Sequence, residues 1–489
     1  MFNKSYISGV LPDDWKTANV VPIHKKGRKD DIENYRPVSL TSLVMKIFEK
    51  CIRLRIYNLC KDKISSAQHG FLPEKSCTTQ LIQFSEALSF NLNCKWQTDI
   101  VYFDFAKAFD SVNHDVLLNK LKYQFGIGGH LLNFIKNYLK GRKQRVALDG
   151  SFSEFANVDS GVPQGSIIGP LLFVLFINDI VEVLNMGSNI LMYADDTKIW
   201  RVIHDQSDQM KLQEDIDNLY AWSITNKIKF HPNKCKVVTV GLLTNPLKCL
   251  YNLNGTVLEY STDEKDLGVN VTKNLKWNSH HKSILSKAGQ KLGLMRRTCN
   301  FNRNKNFRRL LFLSIIRSQF EHASPVWRPT TITQMDKFEA LQKRCIKWIS
   351  NEDFCYYSKS EYFKKQENLD ILPMYLKFRM NDITLFHKIV YNVSVLTFPR
   401  YILSASSTDP SVSRYFSRQT RQFNNSDRLK YKSSLAPRVD AFKDSFFVRT
   451  MAYWNALPLT LREIECIDTF KQKLKEHLWV IGREDEGIT

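Results

Sequence analysis

The run Asn189-Ile-Leu-Met-Tyr-Ala-Asp-Asp-Thr-Lys-Ile-Trp200 constrains this chain more than any other stretch. Apolar residues lead up to Tyr193 and Ala194, the carboxylates Asp195 and Asp196 follow, and Ile199 and Trp200 resume the apolar character. Strand, acidic tip, strand is the pattern of a hairpin that holds both carboxylates at its turn. Adjacent carboxylates repel, and keeping them partly buried calls for a cation shared with a further ligand. Oxygen-only ligation suits Mg²⁺, which takes one or two protein carboxylates beside phosphate oxygens. An acidic hairpin tip alone is also ordinary solvated turn chemistry, so the reading depends on a third carboxylate elsewhere.

That carboxylate is supplied by Asp99-Ile-Val-Tyr-Phe-Asp-Phe-Ala-Lys-Ala-Phe-Asp-Ser-Val. Ile100 to Phe103 reads as a buried strand ending on Asp104, with a helix opening near Asp115. A carboxylate where an apolar strand ends is well placed for a site at a sheet edge. The second acid, Asp110, reads as a turn or cap residue.

The chain has 489 residues, enough for large cores and more than one domain. Its formal charge of +21 points to a polyanionic partner, most simply nucleic acid, with a basic membrane-binding surface as the weaker alternative. Ten cysteines without a Cys-x-x-Cys pair argue against a zinc ribbon and for free thiols in a reducing compartment. The N-terminus has no hydrophobic targeting core, and the densest apolar run, Pro170 to Ile177, is far too short to span a bilayer. We read a soluble, intracellular, basic protein with no membrane partner.

Before Asp104, a short strand from Asn19 to Ile23 runs into a turn carrying Lys25, Lys26, Arg28 and Lys29, and Arg36 precedes a proline that favours extended backbone. Basic side chains around a turn suit phosphate contact, or form a solvated loop. Residues 41 to 60 form an amphipathic helix whose stripe Val44, Ile47, Phe48, Cys51 and Leu54 is assigned to core packing. Gln68-His-Gly-Phe opens a Gly/Pro-punctuated loop in which His69 reads as structural, and a second helix runs from about Thr78 to Leu92.

After the hairpin, the stretch from Asp205 to Gln209 carries no clear signal. Leu212, Ile216, Leu219 and Trp222 then form an apolar stripe with Glu214, Asp215 and Asp217 outside it. From Leu267 to Phe320 there is no Asp or Glu, whereas Lys and Arg number twelve, which favours a phosphate-tracking surface over a merely solvated face. Residues 325 to 395 read as helical, with Trp327, Phe338, Leu341, Ile346, Trp348, Leu372, Leu376 and Phe386 in the core. A Ser-rich stretch, Leu403 to Ser417, is followed by Arg418, Arg421, Arg428, Lys430, Lys432 and Arg438 interleaved with Phe423 and Tyr431. That suits single-stranded RNA or a partly disordered basic tail.

Taken in order, Tyr-Phe-Asp-Phe-Ala-Lys-Ala-Phe-Asp (102–110), Gly-Val-Pro-Gln-Gly-Ser-Ile-Ile-Gly-Pro-Leu-Leu-Phe (161–173) and Tyr-Ala-Asp-Asp (193–196) give the chain a likeness. It resembles reverse transcriptases of non-LTR (LINE-type) retrotransposons, the Jockey-like group in particular. Arg36-Pro-Val-Ser-Leu-Thr and Gln68-His-Gly-Phe match that family's fingers motifs, and His231-Pro-Asn-Lys-Cys its lysine-bearing palm motif, with Cys235 where threonine is commoner. The likeness continues weakly through Glu321-His-Ala-Ser-Pro-Val-Trp and Trp454-Asn-Ala-Leu-Pro.

The resemblance implies an α/β right-hand polymerase: fingers and palm over 1–265, thumb and primer grip over 266–325, and a mostly helical basic extension over 326–489. It implies that Asp104 and Asp195, with Asp196 as accessory, ligate two Mg²⁺ ions, with Mn²⁺ able to substitute. Lys234 would act near the leaving pyrophosphate. Arg36 and a lysine near Lys26 would hold the dNTP triphosphate, Phe109 would exclude a ribose 2′-OH, and Gln164 would contact nucleotide or template. Leu267, Gly268 and Val269 would form the primer grip, and Lys282, Lys287, Lys291, Arg296 and Arg297 would meet the duplex. The implied partners are an RNA template, a DNA primer at a nicked target and dNTPs, in a ribonucleoprotein of nucleus and cytoplasm. Relatives commonly carry an upstream endonuclease, so nicking would be supplied elsewhere or lost. Two alternatives stand: a decayed or domesticated copy that binds without synthesis, and another enzyme of the same class, such as an intron maturase or telomerase catalytic subunit.

Overall fold

A computed structural model describes residues 1–25, 27–299, 301, 303–352, 355–405 and 429–487. Lys26, Arg418, Arg421, Phe423 and Arg428, with most of the Ser-rich 403–417 stretch, lie outside the described residues. The chain divides into two compact units, the first of residues 1–76, 99–237 and 247–261, the second of 77–98, 238–246 and 262–489.

Two sheets are built mainly from residues of the first unit. In one, Thr17–His24 pairs antiparallel with Tyr35–Thr41 and parallel with Arg142–Leu148. The other is five-stranded, in the order Glu259–Tyr260, Lys236–Val240, Gln97–Phe103, Asp196–Ile203, Ser188–Tyr193. Gln97–Phe103 is central and almost wholly buried, which accounts for its unbroken Ile-Val-Tyr-Phe run where an edge strand would alternate. The Asp196–Ile203 strand beside it is equally buried after its first residue. Against these pack the fully apolar Gly169–Phe176 helix and the Gln206–Thr225 helix, which buries Leu212, Ile216, Leu219 and Trp222 as its spacing predicts.

Two expectations need correction. In the Leu43–Cys60 helix, Phe48 is buried as expected, but Val44, Ile47, Cys51 and Leu54 are exposed, and the core face is Met45, Phe48, Ile52 and Ile56. Both stripes fit a 3.6-residue period. The inward one carries Glu49, whose carboxylate accepts hydrogen bonds from the Ile167 and Ile168 amides (2.5 and 3.1 Å) and the Tyr138 hydroxyl (3.1 Å). A polar partner for a buried acid settles the rotation that periodicity leaves open. Asp215, placed outside its helix's stripe, is fully buried; it accepts from the Asn185 amide (2.7 Å) and the Ser188 hydroxyl.

The second unit is mostly helical. Trp327, Phe338, Leu341, Ile346, Trp348, Leu372, Leu376 and Phe386 are all buried in its core, as expected. The fully buried Asp382 accepts from both Arg328 (2.9 Å) and Arg449 (3.0 Å). The Trp-Asn-Ala-Leu-Pro motif is structural: Trp454 donates to the Leu429 carbonyl (2.8 Å), and the Asn455 side chain pairs both ways with the Tyr431 backbone (3.0 and 2.7 Å). No described helix is long and apolar enough to cross a membrane.

Candidate active site

Asp104 follows directly on the central strand and is exposed. Its backbone is locked on the far side: its carbonyl accepts from the His231 amide (2.8 Å), and the Ala106 amide donates to the Lys229 carbonyl (2.8 Å). Phe105 stacks on Phe230 at 4.5 Å. The Cys235 thiol sits in the same corner, bonded to the His231 carbonyl at 3.5 Å. Burial, with the Asp104 charge adding, pushes it up to about 11, so it is a neutral packing group at neutral pH.

On the neighbouring strand pair, Tyr193 faces Asp196 and the two-residue turn is Ala194-Asp195, so Asp196 is the first residue of the returning strand. Asp195 is half-buried and Asp196 exposed. Burial raises the Asp195 carboxyl above the ordinary range and the charge of Asp104 raises it further, while Arg36 and Lys25 pull it down. The two carboxylates are therefore close enough to repel, with two cationic side chains within electrostatic reach of Asp195. Among the described residues no group of three or more His, Cys, Asp or Glu forms a closed metal cage. Two mutually repelling carboxylates fit a hard cation that takes its remaining oxygens from other molecules.

Arg36 is exposed on the Tyr35–Thr41 strand, opposite Ile23. Lys25, at the end of the partner strand, donates its amide to the Asn34 carbonyl (2.8 Å), and its charge acts on both Asp195 and Asp110. It is the described lysine of the basic turn that reaches the site. Arg28 instead pairs with Asp30 at 2.6 Å.

Phe109 lies in the Ala108–Asp110 turn, stacked on Phe173 at 4.5 Å and edge-on to Phe71 at 6.0 Å. Gln164 donates from Nε2 to Asp110 Oδ1 (3.1 Å), and its carbonyl accepts from the Ser39 amide (2.7 Å). Gly165, at φ 130°, lies so close to the Ser39 carbonyl that a Cβ would stand 2.3 Å from the oxygen, so only glycine fits. Asp110 lies in the turn, as expected, and its carboxylate also accepts from Gln164. Burial raises its carboxyl, and Gln164, Lys107 and Lys25 oppose the shift.

Lys234 is exposed in the Pro232–Lys234 turn, three residues beyond the His231 amide that holds Asp104. In the second unit, Leu267 and Gly268 both have positive φ and form the turn of the Asp263–Asp266 and Val269–Thr272 hairpin; Val269 is buried. On the Asn278–Thr298 helix, Lys282, Lys287, Lys291 and Arg297 are exposed, while Arg296 is half-buried and donates to the Arg344 carbonyl at 3.3 Å. The acid-free stretch is not uniformly a surface. Arg308 is buried on the Trp348 carbonyl (2.6 Å), and Arg317 is buried against Glu321 (3.1 Å) and Gln342.

Residues 23–283 match the family described as reverse transcriptase (RNA-dependent DNA polymerase), and the chain belongs to that family. It is 30% identical to the RNA-directed DNA polymerase from mobile element jockey of Drosophila melanogaster, over 58% of this chain and 32% of that one. It is 26% identical to the probable RNA-directed DNA polymerase from transposon BS of Drosophila melanogaster, over 73% of this chain and 41% of that one. The jockey polymerase of Drosophila funebris is 28% identical over 72% and 39%. The chain thus spans well under half the length of these curated relatives. Among solved structures, apo telomerase from Candida tropicalis is similar with a TM-score of 0.40 at 11% identity, over 77% of this chain and 65% of that one.

Proposed function

We propose that this chain is an RNA-directed DNA polymerase of a non-LTR retrotransposon, extending a DNA 3′-OH on an RNA template with dNTPs. The observation that carries the reading is Asp195 in a hairpin turn, its carboxyl pKa raised by burial and by Asp104, with Arg36 and Lys25 opposing that shift. That is the polarity a triphosphate and its cations require: carboxylates for the metal, guanidinium and ammonium for phosphate oxygens. Asp104 and Asp195, with Asp196 beside them, would hold the divalent ions. By this reading these are Mg²⁺ in two positions, replaceable by Mn²⁺, and when bound they neutralise charge on the reacting phosphoryl oxygens.

The remaining roles follow from the surroundings. Arg36 and Lys25 orient the triphosphate, and Phe109, held flat on Phe173, presents a rigid wall to the sugar. Gln164 and Asp110 tie the nucleotide-side loops together. Lys234, three residues beyond the His231 amide that holds Asp104, would serve as the acid near the leaving pyrophosphate. Residues 1–265 would serve as fingers and palm and 266–325 as thumb and primer grip, with Leu267–Val269 at the primer and Lys282, Lys287, Lys291, Arg296 and Arg297 along the duplex. Residues 326–489 form the extension. The relatives' names, RNA-directed DNA polymerases from a transposon and a mobile element, support copying of an element's RNA; by the same reading a nicked chromosomal target would supply the primer.

The test is incorporation of labelled dTTP on an RNA template with an annealed DNA primer and Mg²⁺. Template-dependent extension supports the proposal. Tight duplex binding without extension contradicts it and favours a decayed copy.

A further inference from the structure

The Gln68-His-Gly-Phe loop belongs to the same unit as the catalytic hairpin, and no role has yet been given to it. Residues 67–70 run parallel beside the edge strand Ser188–Tyr193. The Met192 amide donates to the Ala67 carbonyl (2.9 Å), and the His69 amide to the Met192 carbonyl (2.8 Å). Gln68 is fully buried, and its Oε1 accepts two amides at once, Gly70 at 2.7 Å and Ala194 at 2.9 Å.

Ala194 immediately precedes Asp195 and has φ 56°, the left-handed region that glycine or asparagine would normally fill in a two-residue hairpin turn. It is also buried, so its amide has no water to turn to. Gly70 closes the arrangement: a Cβ there would stand 2.3 Å from the Ala194 nitrogen, so the loop can lie this close only with glycine. Both partners of Oε1 are donors, which fixes the orientation of the amide, and Nε2 finds no hydrogen-bond partner among the described residues. The side chain therefore acts here through its acceptor alone.

We infer that Gln68 is a positioning residue for the catalytic turn: by holding the Ala194 amide it keeps Ala194 left-handed and so sets where Asp195 presents its carboxylate to a divalent ion. The inference rests on the polymerase reading above and assigns a determinant of it outside the carboxylates. A methionine at position 68 has nearly the same shape, with only a weakly accepting thioether in place of the amide oxygen. Glycine at position 194 adopts a positive φ without strain and therefore needs the clamp less.

The experiment is an Mn²⁺ titration followed by electron paramagnetic resonance, on chain bound to RNA template, chain-terminated DNA primer and dNTP, beside steady-state extension. Gln68→Met is expected to weaken Asp195-dependent Mn²⁺ binding about tenfold and lower kcat at least tenfold, with KM for dNTP within about threefold; each tenfold is about 1.4 kcal/mol. Adding Ala194→Gly to Gln68→Met should recover several-fold in both readouts. Gln68→Asn, which shortens the reach but keeps the amide, gives the same readouts more mildly if the methionine variant does not fold. Wild-type Mn²⁺ affinity and kcat in these variants, whatever their melting temperatures, would overturn the inference and leave Gln68 as packing. Mn²⁺ binding insensitive to Asp195→Asn in the parent chain would overturn the metal reading beneath it as well.

Discussion

Gln164 and Asp110 are joined by a 3.1 Å hydrogen bond from the Gln164 Nε2 to Oδ1, linking the turn that carries Phe109 to the loop that rests on Ser39. A hydrogen bond to a charged group contributes about 1.5–3 kcal/mol, and less where water can replace it. Gln164→Leu should therefore raise KM for dNTP roughly three- to tenfold while kcat changes little. Steady-state extension at varied dNTP checks this; an unchanged KM would remove the linkage from nucleotide binding.

Glu86 predicts a pH dependence of stability. Buried on the Cys77–Asn93 helix, its carboxyl is pushed up from 4.5 to about 8 by burial, against Ser445, the Phe447 amide and the Arg449 charge, which act the other way. The folded chain thus binds this proton more tightly than the unfolded chain. The stabilisation is complete below the ordinary value and is lost as pH rises toward about 8. Glu86→Gln, which stays neutral, should flatten that part of the profile and be relatively more stable at the alkaline end. Urea midpoints across the window measure it; parallel profiles would contradict the assignment.

Asp382 accepts from two buried arginines, so Asp382→Asn leaves cationic charge unpaired in a core. Breaking a buried pair from one side typically costs about 3–5 kcal/mol, and a loss of that order is expected in denaturant unfolding. A change below about 1 kcal/mol would mean that water reaches the arginines.

Lys282, Lys287 and Lys291 are exposed along one helix, in a stretch without acids. If each meets a phosphate, replacing all three by glutamine should reduce the slope of log affinity against log salt by up to about 0.9 per contact. Fluorescence anisotropy with an RNA–DNA duplex reads the slope, and an unchanged value would place the duplex elsewhere.

The carboxylate hairpin was legible because an apolar run interrupted by Ala-Asp-Asp has no other economical conformation, and Asp104 because a buried strand must stop where its charge begins. The apolar helices of the second unit were legible by period. The Leu43–Cys60 helix was not, since two apolar stripes share it and only the tertiary partners of Glu49 choose between them. Asp215 was invisible for the same reason: its acceptors' donors, Asn185 and Ser188, come from another part of the chain. Asp205 to Gln209 did carry a signal that periodicity overlooks. Asp205 caps the Gln206–Thr225 helix, accepting from the Ser207 and Asp208 amides at 2.8 and 3.2 Å. The clamp of Gln68 on Ala194 needs a φ value and a contact, neither of which a sequence displays.

The most direct measurement is primer extension and duplex binding by the parent chain beside Asp104→Asn and Asp195→Asn. Each substitution removes one carboxylate of the proposed metal site and keeps the side chain's shape. Synthesis should fall at least roughly thousandfold in both, the several kcal/mol that metal neutralisation supplies, while duplex affinity stays within about twofold. Extension that survives either change would contradict the site at the centre of this account.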